Sequence, residues 1–280
     1  MVLLHEAVSQ NSIQEVQRLI DSGIDVNEET LNFEGTALHI AAYQGYERIA
    51  RVLILNGANI EAQCFRLETP LLKAAFNNNL KIVEFLVQKG ANVKGALHFA
   101  ASKQIAEIFF KQESDLEDKR DSIRRTPLHN TVADGFSDTV QFLIEKGAKI
   151  DARDEMGYTP LYLAVEFDQI SILEILIKHG ADINARTKTT ETALHKAAMF
   201  DNEEAIEVLV QHGANIDKKD KYWGTPLYVA ACFNSISAVK MLLRNGSSLK
   251  IRGKFGYTPL EIALVENEHD FDILKMIMFK

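Results

Sequence analysis

Residues 157–186 read GYTPLYLAVEFDQISILEILIKHGADINAR. Thr159 suits a helix N-cap, its hydroxyl accepting from an early backbone N–H, and Pro160 suits the first helical position, where no N–H is needed. Leu161, Ala164 and Val165 then form one apolar face at helical spacing. The alanines keep this helix slim enough for a second one to approach closely. Ile172, Ile175, Leu176 and Ile177 supply that second helix, and Gly180 ends it at the left-handed C′ position. Ala181-Asp182-Ile183-Asn184 leads into a polar turn. The unit is therefore helix, turn, helix, extended loop.

The same unit recurs on a 33-residue grid. Every proline in the chain follows a threonine, at Thr69-Pro70, Thr126-Pro127, Thr159-Pro160, Thr225-Pro226 and Thr258-Pro259, while Thr36-Ala37 and Thr192-Ala193 fill the same place with alanine. A fixed period in this range means stacked supersecondary units, which work through an extended surface rather than a pocket. First-helix leucines fall at Leu4, Leu38, Leu71, Leu97, Leu128, Leu161, Leu194, Leu227 and Leu260, and closing glycines at Gly23, Gly57, Gly90, Gly147, Gly180, Gly213 and Gly246. Thr126-Pro127-Leu128-His129, Thr192-Ala193-Leu194-His195-Lys196-Ala197-Ala198 and Gly180-Ala181-Asp182-Ile183-Asn184 closely match T-P-L-H-x-A-A and G-A-D-x-N. In these motifs the chain resembles the ankyrin-repeat family from about residue 2 to its C-terminus. The resemblance implies an all-α solenoid with β-hairpin-like finger loops. The expected organisation is one domain over 1–280, with repeats at about 2–34, 35–67, 68–94, 95–124, 125–157, 158–190, 191–223, 224–256 and a cap at 257–280.

Two deletions interrupt the grid. Gly90 to Lys94 runs straight into Gly95-Ala96-Leu97-His98, which shortens that finger. The fourth unit then loses residues between its helices, leaving a second helix expected over Ile105 to Gln112 and a polar finger, ESDLEDKRDSIRR, from Glu113. One continuous solenoid with altered curvature is expected there; a kink separating 1–94 from 126–280 is the alternative. The terminal segment FDILKMIMFK reads equally as a cap, an edge exposed by truncation or a contact with another chain.

The net charge of −8 argues against a whole-surface attraction to nucleic acid or anionic lipid. Cys64 and Cys232 lie far apart along the array and make no disulfide framework, so a reducing compartment, cytosol or nucleus, is expected. No stretch approaches the roughly 18 apolar residues of a membrane span. No P-loop, G-x-G-x-x-G, G-x-S-x-G or C-x-x-C occurs, and no nucleophile–base pair recurs with an orienting group. An enzyme is not expected, nor a cofactor, a metal or a small-molecule substrate. His5, His39, His98, His129 and His195 share one slot. Stacked helices stand roughly 8–10 Å apart, too far for a row of them to share one ion. The resemblance implies that this histidine hydrogen-bonds neighbouring repeats. Asn27 and Asn184 resemble ankyrin asparagines hydroxylated by 2-oxoglutarate-dependent oxygenases, although finger hydrogen bonding is the simpler reading.

Function is sought in the slots that vary. The pair ending each first helix lines the concave face of ankyrin arrays. Here it reads Tyr43-Gln44, Phe76-Asn77, Ala133-Asp134, Glu166-Phe167, Met199-Phe200, Cys232-Phe233 and Val265-Glu266. Phe167, Phe200 and Phe233 repeat through three successive units in a slot normally open to water. The fingers add Met156, Tyr158, Tyr222, Trp223, Phe255 and Tyr257, with a basic rim of Lys219, Lys221, Arg252 and Lys254. Packing of finger against finger is one reading of these aromatics. The other is an apolar groove for an extended peptide or partner helix with an acidic-apolar segment, since aromatic anchors inside a polar rim are what binding hot spots look like. The expected function is a non-catalytic protein-interaction scaffold. The alternatives are an inhibitory or targeting subunit of an enzyme, or the ankyrin portion of a larger receptor, channel or toxin.

Overall fold

The computed structural model describes residues 3–29, 35–113, 120–222, 224–253 and 255–266. Among these residues the regular structure is helical, with one isolated antiparallel bridge between Glu29 and Thr36. The chain forms two compact units, Met1–Lys119 and Arg120–Lys280.

In the first unit the helix pairs are Leu3–Ser9 with Ile13–Asp21, Ala37–Gln44 with Glu47–Leu55, and Pro70–Phe76 with Leu80–Gln88. A 3₁₀ turn, Ala96–Phe99, and the helix Lys103–Gln112 complete it. The second unit holds Pro127–Ala133 with Ser137–Glu145, Pro160–Glu166 with Ile170–Lys178, Ala193–Met199 with Glu203–Gln211, Pro226–Cys232 with Ile236–Arg244, and the helix Pro259–Glu266. Within each unit, first helices pack on first helices and second on second in chain order. The grid leucines Leu4, Leu38, Leu71, Leu97, Leu128, Leu161, Leu194 and Leu227 are all buried in this stack.

The caps behave as their residue types require. Thr69, Thr159 and Thr225 each accept the backbone N–H three residues on. The turn inside each helix pair needs one left-handed residue, supplied by Asn11, Gly45, Asn78, Gly135, Asp168, Asp201 and Asn234. Outside glycine, Asn and Asp tolerate that conformation best.

The fourth pair has no such residue, because the deletion removed its turn. Its first helix is consequently not an α-helix. A 3₁₀ turn rises about 2.0 Å per residue against 1.5 Å, and so spans the layer with fewer residues. Its second helix begins at Lys103 rather than Ile105. Lys103 and Gln104 are exposed, and a reading by apolar periodicity starts only at the first buried residue, Ile105. The rest of the ESDLEDKRDSIRR finger between Glu113 and Arg120 lies outside the described residues, as do Trp223, Lys254 and the segment FDILKMIMFK.

The fingers of the second unit are stitched together by backbone and by arginine. Glu155 N–H donates to Ile123 O at 2.9 Å, Lys188 N–H to Met156 O at 3.0 Å and Lys221 N–H to Thr189 O at 3.2 Å. On the same 33-residue period, Arg120 donates to the carbonyls of Arg124 and Arg153, Arg153 to those of Gly157 and Arg186, and Arg186 to those of Thr190 and Lys219. Each guanidinium thus closes its own finger and ties it to the next. Gly157 is dictated by this contact: φ is +79°, and a Cβ there would lie 2.9 Å from Lys188 N. Asn27 and Asn184 also bridge units of the grid. Their amides donate to Gly57 O and Gly213 O, and their side-chain oxygens accept from the N–H of Asn59 and Asn215.

Thr190 holds the same finger-tip slot with φ +66°, a conformation that costs an L-residue about 1–2 kcal/mol. Its Oγ1 is buried without a hydrogen-bond partner. Thr190→Gly is expected to stabilise the second unit by about 1 kcal/mol, the relief of strain exceeding the extra chain entropy of glycine. Chemical denaturation reads this as a raised midpoint at constant m-value; a lowered midpoint refutes the strain.

Candidate interaction surface

In the second unit finger residues Tyr158 and Thr189 line one concavity with the first-helix end residues Met199 and Phe233. In the first unit Tyr43 and Phe76 are exposed, and Tyr43 lines a concavity of about 310 Å³ with Ser9, His39, Ile40, Gln44 and Lys73. In the second unit Phe167, Phe200 and Phe233 stand at the C-caps of three successive first helices, and are 45, 53 and 41% exposed. The backbone accounts for this placement. The left-handed residue that follows each of them, Asp168, Asp201 or Asn234, turns the chain away at that point. The cap ring is left at the rim of the layer.

A concavity of about 260 Å³ lies beside this row, lined by Tyr158, Tyr162, Thr189, Glu191, His195, Lys196, Met199, Val229 and Phe233. Tyr158 and Tyr162 stack with centroids 4.4 Å apart and planes 22° off parallel. Lys196 Nζ pairs with Glu166 at 2.9 Å and sits 4.8 Å from the centre of the Phe200 ring. Burial, and secondarily the neighbouring carboxylates, hold both tyrosine hydroxyls above their ordinary range.

The expected site residues therefore divide. Tyr158, Met199 and Phe233 converge on one concavity, with Phe200 joined to it through Lys196. Met156, Tyr222, Phe255 and Tyr257 are exposed on the fingers. Lys219 and Lys221 are exposed, Lys221 Nζ lying 5.6 Å from the Tyr222 ring centre. Arg252 is engaged by Glu261 at 2.8 Å and also donates to Gly256 O. Tyr162, Glu191 and Lys196 escaped the sequence reading of the site, and Glu166 entered it only as the neighbour of Phe167. Tyr162 fills the slot that histidine holds in other repeats, and its phenol donates 29 residues ahead, to Glu191 at 3.2 Å. Lys196 occupies the variable x of T-A-L-H-x-A-A, and that was the available signal.

Three of the slot histidines are consumed by structure. In His39, His129 and His195, Nδ1 accepts from the backbone N–H of Thr36, Thr126 and Thr192. Nε2–H donates to Glu68 O, Tyr158 O and Gly224 O in the next finger, at 3.0–3.1 Å. This arrangement needs the neutral ring. Burial lowers all three pKa values, that of His129 to about 4. Among the described residues no three His, Cys, Asp or Glu side chains converge on a metal position.

A family model described as ankyrin repeats (3 copies) matches residues 4–95 and 97–187, and one described as ankyrin repeats (many copies) matches 194–243. The chain belongs to the ankyrin-repeat family. Such repeats are generally protein-interaction modules, and their proteins are typically non-catalytic through the array itself. Rabankyrin-5 of Mus musculus is 31% identical over 172 residues, covering 53% of this chain and 15% of that protein. The B-cell lymphoma 3 protein homolog of Mus musculus is 35% identical over 103 residues, or 35% of the chain and 23% of that protein. A transient receptor potential cation channel subfamily A member 1 homolog of Caenorhabditis elegans is 30% identical over 154 residues, or 50% and 13%. The ankyrin array thus matches less than a quarter of each of these relatives. No helix among its described residues is long and apolar enough to cross a membrane.

Proposed function

We propose that this ankyrin array is a non-catalytic scaffold that holds a partner protein or peptide on the first-helix and finger face of its second unit. One observation carries the reading: Phe167, Phe200 and Phe233 stand exposed in one register slot of three successive repeats. Roughly half of each ring stays in water, and covering that half under a partner removes a large apolar area from solvent. Lys219 and Lys221 at the finger tips favour acidic residues flanking the partner's apolar segment. Arg252 contributes less to that rim, being held by Glu261.

The test replaces Phe200 and Phe233 together with glutamine and compares affinity capture from native lysate with that of the unsubstituted chain. The variant is expected to lose the specifically captured protein while keeping its helical circular dichroism and melting temperature. Normal capture by the variant rejects the assignment. The small share of each relative that the array covers favours a second reading, the ankyrin part of a larger receptor or channel, or an enzyme's inhibitory or targeting subunit. That reading requires either a longer open reading frame carrying the 33-residue grid or a captured enzyme whose activity changes on binding.

A further inference from the structure

The concavity beside the phenylalanine row has a definite charge chemistry. Two carboxylates near it are already neutralised, Asp154 by Arg125 at 3.4 Å and Glu166 by Lys196 at 2.9 Å. The third, Glu191, lines the cavity and accepts only the Tyr162 hydroxyl, at 3.2 Å. No cationic side chain among the described residues pairs with it. Beside it lies the Tyr158–Tyr162 stack, whose faces carry the negative end of the aromatic quadrupole; Lys196 Nζ already lies 5.6 Å from the Tyr162 ring centre, so the ring offered to a further cation is that of Tyr158. A partly buried, unneutralised carboxylate next to stacked rings attracts a cation and repels an anion.

We propose that this cavity receives an arginine side chain of the partner, with the guanidinium on the tyrosine stack and its N–H groups on the Glu191 carboxylate. Arginine fits better than lysine for three reasons. Its planar head stacks on rings, its donor fork matches a carboxylate, and it is the more weakly hydrated cation. The cavity of about 260 Å³ has room for the head and its methylene stem, with Met199 along the apolar side. The same face already holds one ammonium in this manner, Lys196 against the Phe200 ring. The proposal rests on the reading of this face as the partner surface, and adds that the partner's apolar segment carries an arginine in register with Tyr158 and Tyr162.

The whole chain is titrated with N-acetyl-arginine amide while the Met199 methyl and Tyr158 ring signals are followed by NMR. The neutral isostere N-acetyl-citrulline amide and N-acetyl-aspartate amide serve as comparisons. Saturable shifts at Met199 and Tyr158 are expected with the arginine probe, with binding at least about tenfold weaker for citrulline and none for aspartate. Glu191→Gln is expected to weaken arginine binding by about tenfold at an unchanged melting temperature. Tyr158→Leu, which removes the outer ring and no charge, is expected to weaken it by about fivefold. Equal binding of citrulline, preferential binding of aspartate, absence of saturable shifts, or full affinity in a folded Glu191→Gln or Tyr158→Leu variant each overturns the proposal. The probe needs no partner. A failure here leaves the Phe200 and Phe233 capture result standing, and loss of the interaction reading with probe binding intact is seen as such.

Discussion

Acidification from about pH 7.5 to about pH 5 is expected to remove roughly 2 kcal/mol of stability through His129 alone. In the unfolded chain this imidazole protonates near its ordinary value of 6.5, while burial lowers the folded value to about 4. The folded ring is already committed as a neutral bridge, Thr126 N–H to Nδ1 and Nε2–H to Tyr158 O. Its contribution is therefore fully present above about pH 6.5. It declines as the pH falls toward 4, because only the unfolded state takes up the proton across that window. His39 and His195 are shifted in the same direction by the same cause. Asp134, whose carboxyl burial raises, acts in the opposite sense. Urea denaturation at a series of pH values measures the slope. His129→Leu should be less stable at neutral pH and show a shallower slope, and identical slopes in the two proteins would falsify the assignment.

The second large effect is a contrast within one repeat. Leu194→Ala is expected to cost about 2–5 kcal/mol, since Leu194 is 1% exposed and its removal leaves a cavity between stacked first helices. Phe200→Ala, six residues along and 53% exposed, is expected to change stability by less than about 0.5 kcal/mol. The larger side chain thus matters less to folding, which is the signature expected of a residue kept for contact with something else. Comparable losses for the two variants would place Phe200 in the core of the repeat and remove it from the interaction surface.

Much of the molecule was legible because the grid consists of residues with local duties. Threonine caps, proline opens, glycine or asparagine turns left-handed, and each does so by chemistry confined to a few neighbours. The exposed cap phenylalanines were legible for the same reason: once Leu194 and His195 are claimed for the interior, helical periodicity puts Phe200 at the rim. The fourth repeat was legible as irregular, but not the form its first helix takes, because locality fails there. Its sequence still carries Leu97 and His98, yet the lost turn residue makes the first helix a 3₁₀ turn, a consequence of the span to be covered rather than of any residue's preference.

By itself, the sequence determined the repeat, its helices and caps, and the residues left over at the surface, because these follow from period and from short-range stereochemistry. Only the tertiary structure decided how the leftovers combine. It set Tyr162 against Tyr158, left Glu191 without a counter-charge, closed Arg252 onto Glu261, and turned Arg120, Arg153 and Arg186 into ties between fingers. The Tyr162–Glu191 pair and the arginine ties join residues 29 to 33 positions apart, and whether a charge stays open or is neutralised there depends on which side chain the next repeat brings within a few ångströms. That distance is set by the stacking of whole repeats, and no local rule of the chain contains it.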